Sequence, residues 1–366
     1  MLKKSLLIAL ITFVTIVSTA AQSLQYSSDG KTLAVNLIVN FENYKTVNQF
    51  LFFDALSGKI KSSVNVQNSD VDEPLIMFAN GNQNLVIGDR INLGLIKLTA
   101  DNKAEFQNSD AEFRNPANEF IGLAQSTDGK ILFKLYSDEL IAYNFLTKKV
   151  LPENGKKIAA TEDKSSKAEF LTIQQNGQMM VEYQKKDAEH FLVIYNLTAK
   201  TSKKIALPYN YEDSEEVKFW AKISQNGGRL ALRCEKQTES QITVWDLKTA
   251  TSLGTFSIAS PETAEKTDFY SIKDFAISPD GQKIAVNIND NYNEDLNKLL
   301  VLWDIATKKE IIAEAKKYSE EDFAHDLVFS PDSKTLAVSA EVLLVNSFSV
   351  KIQILDANTG KFIREF

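Results

Sequence analysis

Seven evenly spaced turn motifs predict an all-β chain, a seven-bladed β-propeller of four-stranded antiparallel blades. Three observations carry that prediction. A first turn marker, Ser-Pro-Asp-Gly or a relative of it, recurs with its Asp or Asn at 29, 80, 128, 176, 226, 280 and 332, at spacings of 51, 48, 48, 50, 54 and 52 residues. Short alternating apolar runs flank each marker, which is the pattern of strands entering and leaving a tight hairpin. A second turn marker, usually an aromatic residue followed by Asp or Asn, comes later in most units. Each unit thus encodes four strands, and seven such sheets close into a ring, with a stacked solenoid as the competing geometry.

In chain order, the first unit opens at Tyr26-Ser27-Ser28-Asp29-Gly30 and reaches Leu51-Phe52-Phe53-Asp54. The second is the weakest, Asn80-Gly81 with Leu95-Ile96-Lys97-Leu98. The third pairs Ser126-Thr127-Asp128-Gly129 with Ala142-Tyr143-Asn144, and the fourth Gln175-Asn176-Gly177 with Val193-Ile194-Tyr195-Asn196. The fifth pairs Gln225-Asn226-Gly227 with Thr243-Val244-Trp245-Asp246. The sixth runs from Phe275-Ala276-Ile277-Ser278-Pro279-Asp280-Gly281 to Val301-Leu302-Trp303-Asp304, and the seventh from Val328-Phe329-Ser330-Pro331-Asp332 to Ile352-Gln353-Ile354-Leu355-Asp356. Asp-Gly and Asn-Gly tolerate the positive φ these turns need, and proline presets φ at the turn entry. In the second marker, as in Asp356-Ala357-Asn358-Thr359-Gly360-Lys361, the Asp carboxylate accepts backbone N–H bonds and the Gly takes the left-handed position. No strand exchange between the two ends is visible, so the ring is expected to close by packing of blade one on blade seven.

Trp245-Asp246, Trp303-Asp304, the Ser-Pro-Asp-Gly turns and Thr359-Gly360-Lys361 resemble the WD-repeat propeller family. The resemblance spans almost the whole chain after residue 21 and is strongest over 220–366. It implies fold and says little of function. The Gly-His dipeptide of a typical repeat is absent, and with only His190 and His325 the family's buried His-Ser-Trp network cannot be built. The long repeats and the N-terminus point to a divergent bacterial exported type.

Residues 1–21 read as a secretory signal peptide. Lys3 and Lys4 precede an apolar run from Leu6 to Val17, and Thr19-Ala20-Ala21 supplies small residues for cleavage before Ala21 or Gln22. The run is shorter than the roughly 20 residues that span a bilayer. Residues 22–366 are then one propeller domain, periplasmic or secreted. The composition, 44% hydrophobic and 24% charged, is that of a globular chain with material for a core. One cysteine, Cys234, excludes intrachain disulfides and reads as a buried structural thiol.

Catalytic motifs are missing: there is no G-x-S-x-G, no P-loop and no G-x-G-x-x-G, so neither a catalytic residue nor a cofactor is expected. Two histidines exclude a multi-His metal centre, and His325 reads as a polar residue at a strand start. The oxygen-rich run Asn289-Asp290-Asn291-Tyr292-Asn293-Glu294-Asp295 lacks the glycine of an EF-hand and reads as a solvated hairpin loop, and Asn196-Leu197-Thr198 reads as a turn.

Charge placement points to binding. With strands a to d in each blade, the b–c and d–a connections share one face. The d–a stretches 65–74, 101–118, 153–169, 208–219, 257–273 and 313–326 hold 23 acidic and 11 basic residues; the b–c stretches 40–48, 88–94, 137–139, 184–190, 235–241, 289–298 and 340–348 hold 12 and 6. This face carries −18, against −9 for residues 22–366 as a whole, so the remainder is +9. Aromatics are interleaved: Phe113, Tyr209, Tyr211, Phe219, Trp220, Phe269, Tyr270, Tyr318 and Phe323. The densest cluster sets Glu212, Asp213, Glu215 and Glu216 beside Tyr209, Tyr211 and Trp220. That composition suits a contact surface steering a basic protein or peptide partner, and the overall acidity argues against nucleic acid. The alternatives are a propeller hydrolase or lactonase with a carboxylate-bound metal in the central channel, or a purely structural role.

Overall fold

The structure is a computed structural model that describes residues 23–40, 46–67, 75–79, 82–88, 93–99, 101, 103–108, 120–126, 128–144, 147, 149–151, 156–157, 166–187, 189–208, 217–236, 239–257, 271–289, 300–315, 324–344 and 347–366. Blade 1 comprises β1 (Ser23–Tyr26), β2 (Thr32–Asn40), β3 (Thr46–Asp54) and β4 (Ile60–Gln67). Blade 2 comprises β5 (Leu75–Ala79), β6 (Asn84–Gly88), β7 (Leu93–Leu98) and β8 (Ala104–Asn108). Blade 3 has β9 (Phe120–Gln125), β10 (Ile131–Tyr136), β11 (Glu139–Asn144) and an outer strand in two pieces, β12 (Lys149–Val150) and β13 (Lys156–Lys157), both paired to β11. Blade 4 comprises β14 (Ser166–Ile173), β15 (Met179–Lys186), β16 (Glu189–Asn196) and β17 (Thr201–Ala206), and blade 5 β18 (Lys218–Ile223), β19 (Arg229–Lys236), β20 (Glu239–Asp246) and β21 (Thr251–Ser257). Blade 6 comprises β22 (Ser271–Ile277), β23 (Lys283–Asn289), β24 (Leu300–Asp304) and β25 (Glu310–Ile312), and blade 7 β26 (Ala324–Phe329), β27 (Thr335–Leu344), β28 (Ser347–Asp356) and β29 (Phe362–Glu365). All seven sheets are antiparallel meanders of consecutive strands.

Side chains alternate across a strand, and in this ring both faces of a blade meet a neighbour. The second strands are therefore apolar on both faces: Leu33-Ala34-Val35, Leu230-Ala231-Leu232, Ile284-Ala285-Val286 and Leu336-Ala337-Val338 are all buried. The core is correspondingly divided into seven clusters, one between each pair of adjacent blades. Phe50 and Phe52 face Leu85 and Ile87 between blades 1 and 2, and Leu24 and Val35 face Ile352 and Ile354 between blades 1 and 7. That last cluster closes the ring as the sequence suggested, without strand exchange. Phe366 packs its ring on Phe53 at 5.8 Å, and Arg364 donates to the Ala55 carbonyl at 2.6 Å.

In four blades the first marker is fixed by the same side-chain bond. Ser27, Ser126, Ser278 and Ser330 each donate to the Asp two residues later, at 2.6–2.7 Å. The same hydroxyl accepts the N–H of the residue five positions on, which starts strand b: Thr32, Ile131, Lys283 and Thr335. The residue after the Asp sits in the left-handed region, as Gly30, Gly129 and Gly281 do; blade 7 puts Ser333 there at φ 61°. In blade 2 the residue described in that conformation is Asn82, and Asn80 and Gly81 lie outside the described residues.

The second marker is a carboxylate turn. Asp54, Asp246, Asp304 and Asp356 each accept backbone N–H groups two or three residues on. The N–H of Thr307 is the chief cause holding the Asp304 carboxyl below its ordinary value, as that of Thr249 is for Asp246. Gly58 ends the blade 1 turn at φ 71°, and a Cβ there would stand 2.4 Å from the Phe366 ring. Gly58→Ala is expected to cost about 1–2 kcal/mol from the left-handed backbone alone, and more because it pushes Phe366 off Phe53. Denaturant unfolding checks this: the Phe366→Ala background should recover the clash part of the loss but not the backbone part.

Candidate functional site

Within a meander the a–b and c–d turns fall at one end of each blade and the b–c and d–a connections at the other. Tyr209, Tyr211, Glu212, Asp213, Glu215 and Glu216 lie outside the described residues, as do Phe113, Phe269, Tyr270, Tyr318, Phe323 and residues 290–295. Trp220 is described. It is the third residue of β18, near the strand end fed by the d–a connection, and is 37% exposed. Phe219 beside it points the other way and is core, with its ring 4.7 Å from that of Tyr183, so it leaves the set of surface aromatics.

Several stretches assigned to the loop face are strand. Residues 340–344 and 347–348 belong to β27 and β28, which form a long hairpin, Lys156 and Lys157 form β13, and β14, β18, β22 and β26 begin inside the stretches read as d–a loops. The formal count of charge is unchanged, but part of it sits on strand ends. Cys234 is buried, as expected of a structural thiol. His190 is also buried, with Nδ1 2.7 Å from the Tyr183 hydroxyl. The Asn196 side chain accepts the Ala199 N–H at 2.7 Å, the turn role expected of it.

Trp220 pairs across the sheet with Arg233 of β19, whose guanidinium carbon lies 4.1 Å from the Trp220 ring centroid. A planar, weakly hydrated guanidinium suits such stacking. Burial pushes the Arg233 guanidinium down from its ordinary value, opposed by the charges of Glu235, its ion-pair partner, and Asp274. Two residues further along β18, Lys222 Nζ donates to Asp274 Oδ1 of blade 6 at 2.9 Å. Asp274 Oδ2 accepts the Leu327 N–H of blade 7 at 3.3 Å. One carboxylate therefore ties three blades together on the channel wall.

That wall belongs to a cavity of about 600 Å³ on the ring axis, lined from every blade, for example by Leu24, Met77, Gln125, Ile173, Lys222, Asp274 and Leu327. Its charged lining residues among those described are Lys222, Asp274 and Asp326. At the a–b turn end, Gln175 Nε2 of blade 4 donates to Gln25 Oε1 of blade 1 at 3.4 Å, a bar between non-adjacent blades. Among the described residues, no group of three or more His, Cys, Asp or Glu side chains is placed to hold a metal ion. Sequence reasoning passed over this channel set, yet a signal existed. Trp220, Asp274 and Asp326 each stand six residues ahead of the Asn or Asp of their first turn marker, at 226, 280 and 332, so they occupy one tier of blades 5, 6 and 7.

No family model matches the chain, and no curated protein matches it. Solved structures do: 625 chains match, among them one titled "Structure of Dos1 propeller", with a TM-score of 0.51, 14% identity and coverage of 94% of this chain and 79% of that one. At that identity the likeness establishes the fold alone, and so common an architecture does not choose a function. The chain is a seven-bladed β-propeller.

Proposed function

We propose that this is a WD-repeat-like propeller, exported by cleavage after residue 20 or 21, that binds a basic protein or peptide in the periplasm or outside the cell without catalysing a reaction. The docking face is the end where the b–c and d–a connections emerge. The observation that carries the reading is Trp220, an exposed aromatic stacked on the buried Arg233 at that end of an inner strand. An aromatic backed by a fixed partner is the usual form of a binding anchor. The chain leading into it, Tyr209 to Glu216, holds two tyrosines and four carboxylates, and the surrounding connections carry the −18 of the loop count.

Affinity capture from the native envelope, followed by binding kinetics, tests the proposal. Association should slow as salt screens the acidic face, and Glu212→Lys with Glu215→Lys and Glu216→Lys should lower the association rate about tenfold. Trp220→Ala should raise the dissociation rate about thirtyfold with little change in melting temperature. The reading is lost if the triple reversal leaves binding unchanged while Lys308→Ala and Lys309→Ala, on the opposite face, abolish it. Export is checked by the N-terminus of the native protein, expected at Ala21 or Gln22; an intact Met1 would overturn it.

A further inference from the structure

We propose that the turn end of the channel is a binding site for an uncharged, hydroxyl-rich ligand, a mono- or disaccharide. The site lies opposite the loop face and does not depend on the docking reading. The axial cavity holds about 600 Å³, within the roughly 300–1,000 Å³ of small-molecule sites. Among its described lining residues the exposed ones are Ser28, Gln175 and Gln225. Each stands immediately ahead of its first turn marker, at 29, 176 and 226, so the cavity meets solvent at the a–b turns.

At that position blades 6 and 7 carry Pro279 and Pro331, and proline presets the turn. Blades 4 and 5 carry glutamine instead, and neither amide serves its turn. The Gln225 amide has no hydrogen-bond partner among the described residues, and Gln175 Nε2 reaches Gln25 Oε1 at 3.4 Å, a long bond. Residues that break a fold's local rule without a structural return mark functional positions. The charge on the wall is already spent: Lys222 donates to Asp274 at 2.9 Å, Asp274 also accepts the Leu327 N–H, and Asp326 has a partner of its own. Backbone groups at the mouth are spent as well, the Asn226 N–H on the Pro279 carbonyl and the Gln125 N–H on that of Gln175. An extended peptide, read through its main chain, therefore finds no free edge here. What remains is side-chain amides, each offering a donor and an acceptor, beside the aliphatic wall of Leu24, Ile173 and Ile223. Adjacent sugar hydroxyls match the amides, and the C–H face of a sugar ring matches the wall. A hydroxyl set between Gln25 and Gln175 replaces one long bond with two.

The experiment is a calorimetric titration of the purified protein with cellobiose, maltose, lactose and diacetylchitobiose, and with the dimers of galacturonic acid and of glucosamine as charged counterparts. At least one neutral disaccharide should bind with a Kd of about 1 mM or tighter, and both charged dimers at least about threefold more weakly than it. Gln225→Ala and Gln175→Ala, at exposed turn positions, should each weaken that sugar about tenfold with little change in melting temperature. Trp220→Ala, at the other end of the ring, should leave the affinity unchanged. Failure of all four neutral sugars to bind, or tighter binding of a charged dimer, would overturn the inference. So would a sugar affinity that ignores both glutamine substitutions or is lost in Trp220→Ala, either of which places the site elsewhere. A blocked Gly-Ser-Ser-Gly peptide that binds more tightly than every sugar would overturn it too, in favour of a peptide site. Because the glutamine variants leave the loop face intact, partner binding there and sugar binding here stand or fall separately.

Discussion

Glu182→Ala should lower the stability of the propeller by about 3 kcal/mol, measured by denaturant unfolding. The Glu182 side chain lies on β15 and is 6% exposed. Its Oε1 accepts Gln184 Nε2 at 2.8 Å, and its Oε2 accepts the Tyr195 hydroxyl at 2.5 Å. Lys156 of blade 3 brings Nζ to 3.8 Å from the same Oε2 and lies over the Tyr195 ring. Lys156 is about one-third exposed, so its ion pair is screened and contributes the smaller part. The larger part is the desolvation cost left on the Tyr195 hydroxyl and the Gln184 amide once their acceptor is gone. Glu182→Gln keeps an acceptor for Tyr195 and should cost only about 1 kcal/mol.

The pH dependence follows the same cluster. Burial first, then the hydrogen bond to Glu182 and its charge, push the Tyr195 phenol above its ordinary value of 10.0. A raised folded value favours the neutral phenol in the native state. That contribution is whole below the ordinary tyrosine range and is lost as pH rises above it. The alkaline loss should shrink in Glu182→Ala, because one cause of the shift is removed. A variant within 0.5 kcal/mol of the parent, as a rough bound on ordinary surface substitutions, with an unchanged alkaline limb, would show that the cluster is not a stabilising unit.

The fold was legible because five of the seven blades repeat local chemistry that depends on few residues. A Ser hydroxyl bridging an Asp and the start of the next strand, followed by a residue tolerant of positive φ, leaves a mark wherever it occurs. Strand ends carry no such mark. The β27–β28 hairpin runs to residues 344 and 347 because Val342-Leu343-Leu344 continue the pairing, although the turn markers alone place 340–348 between strands b and c. The outer strand of blade 3 is split, and Pro152, which has no N–H to donate, falls between its two pieces. At the site, Trp220 was identified from its company of charged and aromatic neighbours. Lys222, Asp274 and Asp326 were not, since a charged residue in an alternating strand is ordinarily assigned to solvent. In a propeller the innermost strand borders a channel, so the same alternation aims charge at the axis. For Asp274 and Asp326 the shared offset from the turn marker distinguishes the two cases; Lys222, four residues ahead of Asn226, carries no such mark.

Trp245→Ala should cost about 3–5 kcal/mol, and Trp245→Phe about 1 kcal/mol. The gap between them tests what the Trp-Asp pair does in this chain. Trp245 is 5% exposed in the core between blades 4 and 5, packed with Leu230, Leu232 and Leu247. Its Nε1 finds no hydrogen-bond partner among the described residues. The polar work falls to Asp246, which accepts the N–H groups of Lys248 and Thr249 and pairs with Arg229 at 2.5 Å. Truncation to alanine opens a cavity between two blades that share no backbone–backbone hydrogen bond among the described residues, so little backbone can collapse to fill it. Phenylalanine keeps most of the ring, and where no indole bond exists it strands no acceptor. In a propeller whose tryptophan is tied into a buried network, the phenylalanine variant would also leave a polar group unpaired, at about 1–3 kcal/mol more. Unfolding midpoints of the two variants decide the matter. Equal losses would mean that the indole N–H is bonded and that the pair acts through hydrogen bonding; a wide gap would mean that in this chain the tryptophan is packing and the aspartate alone makes the turn.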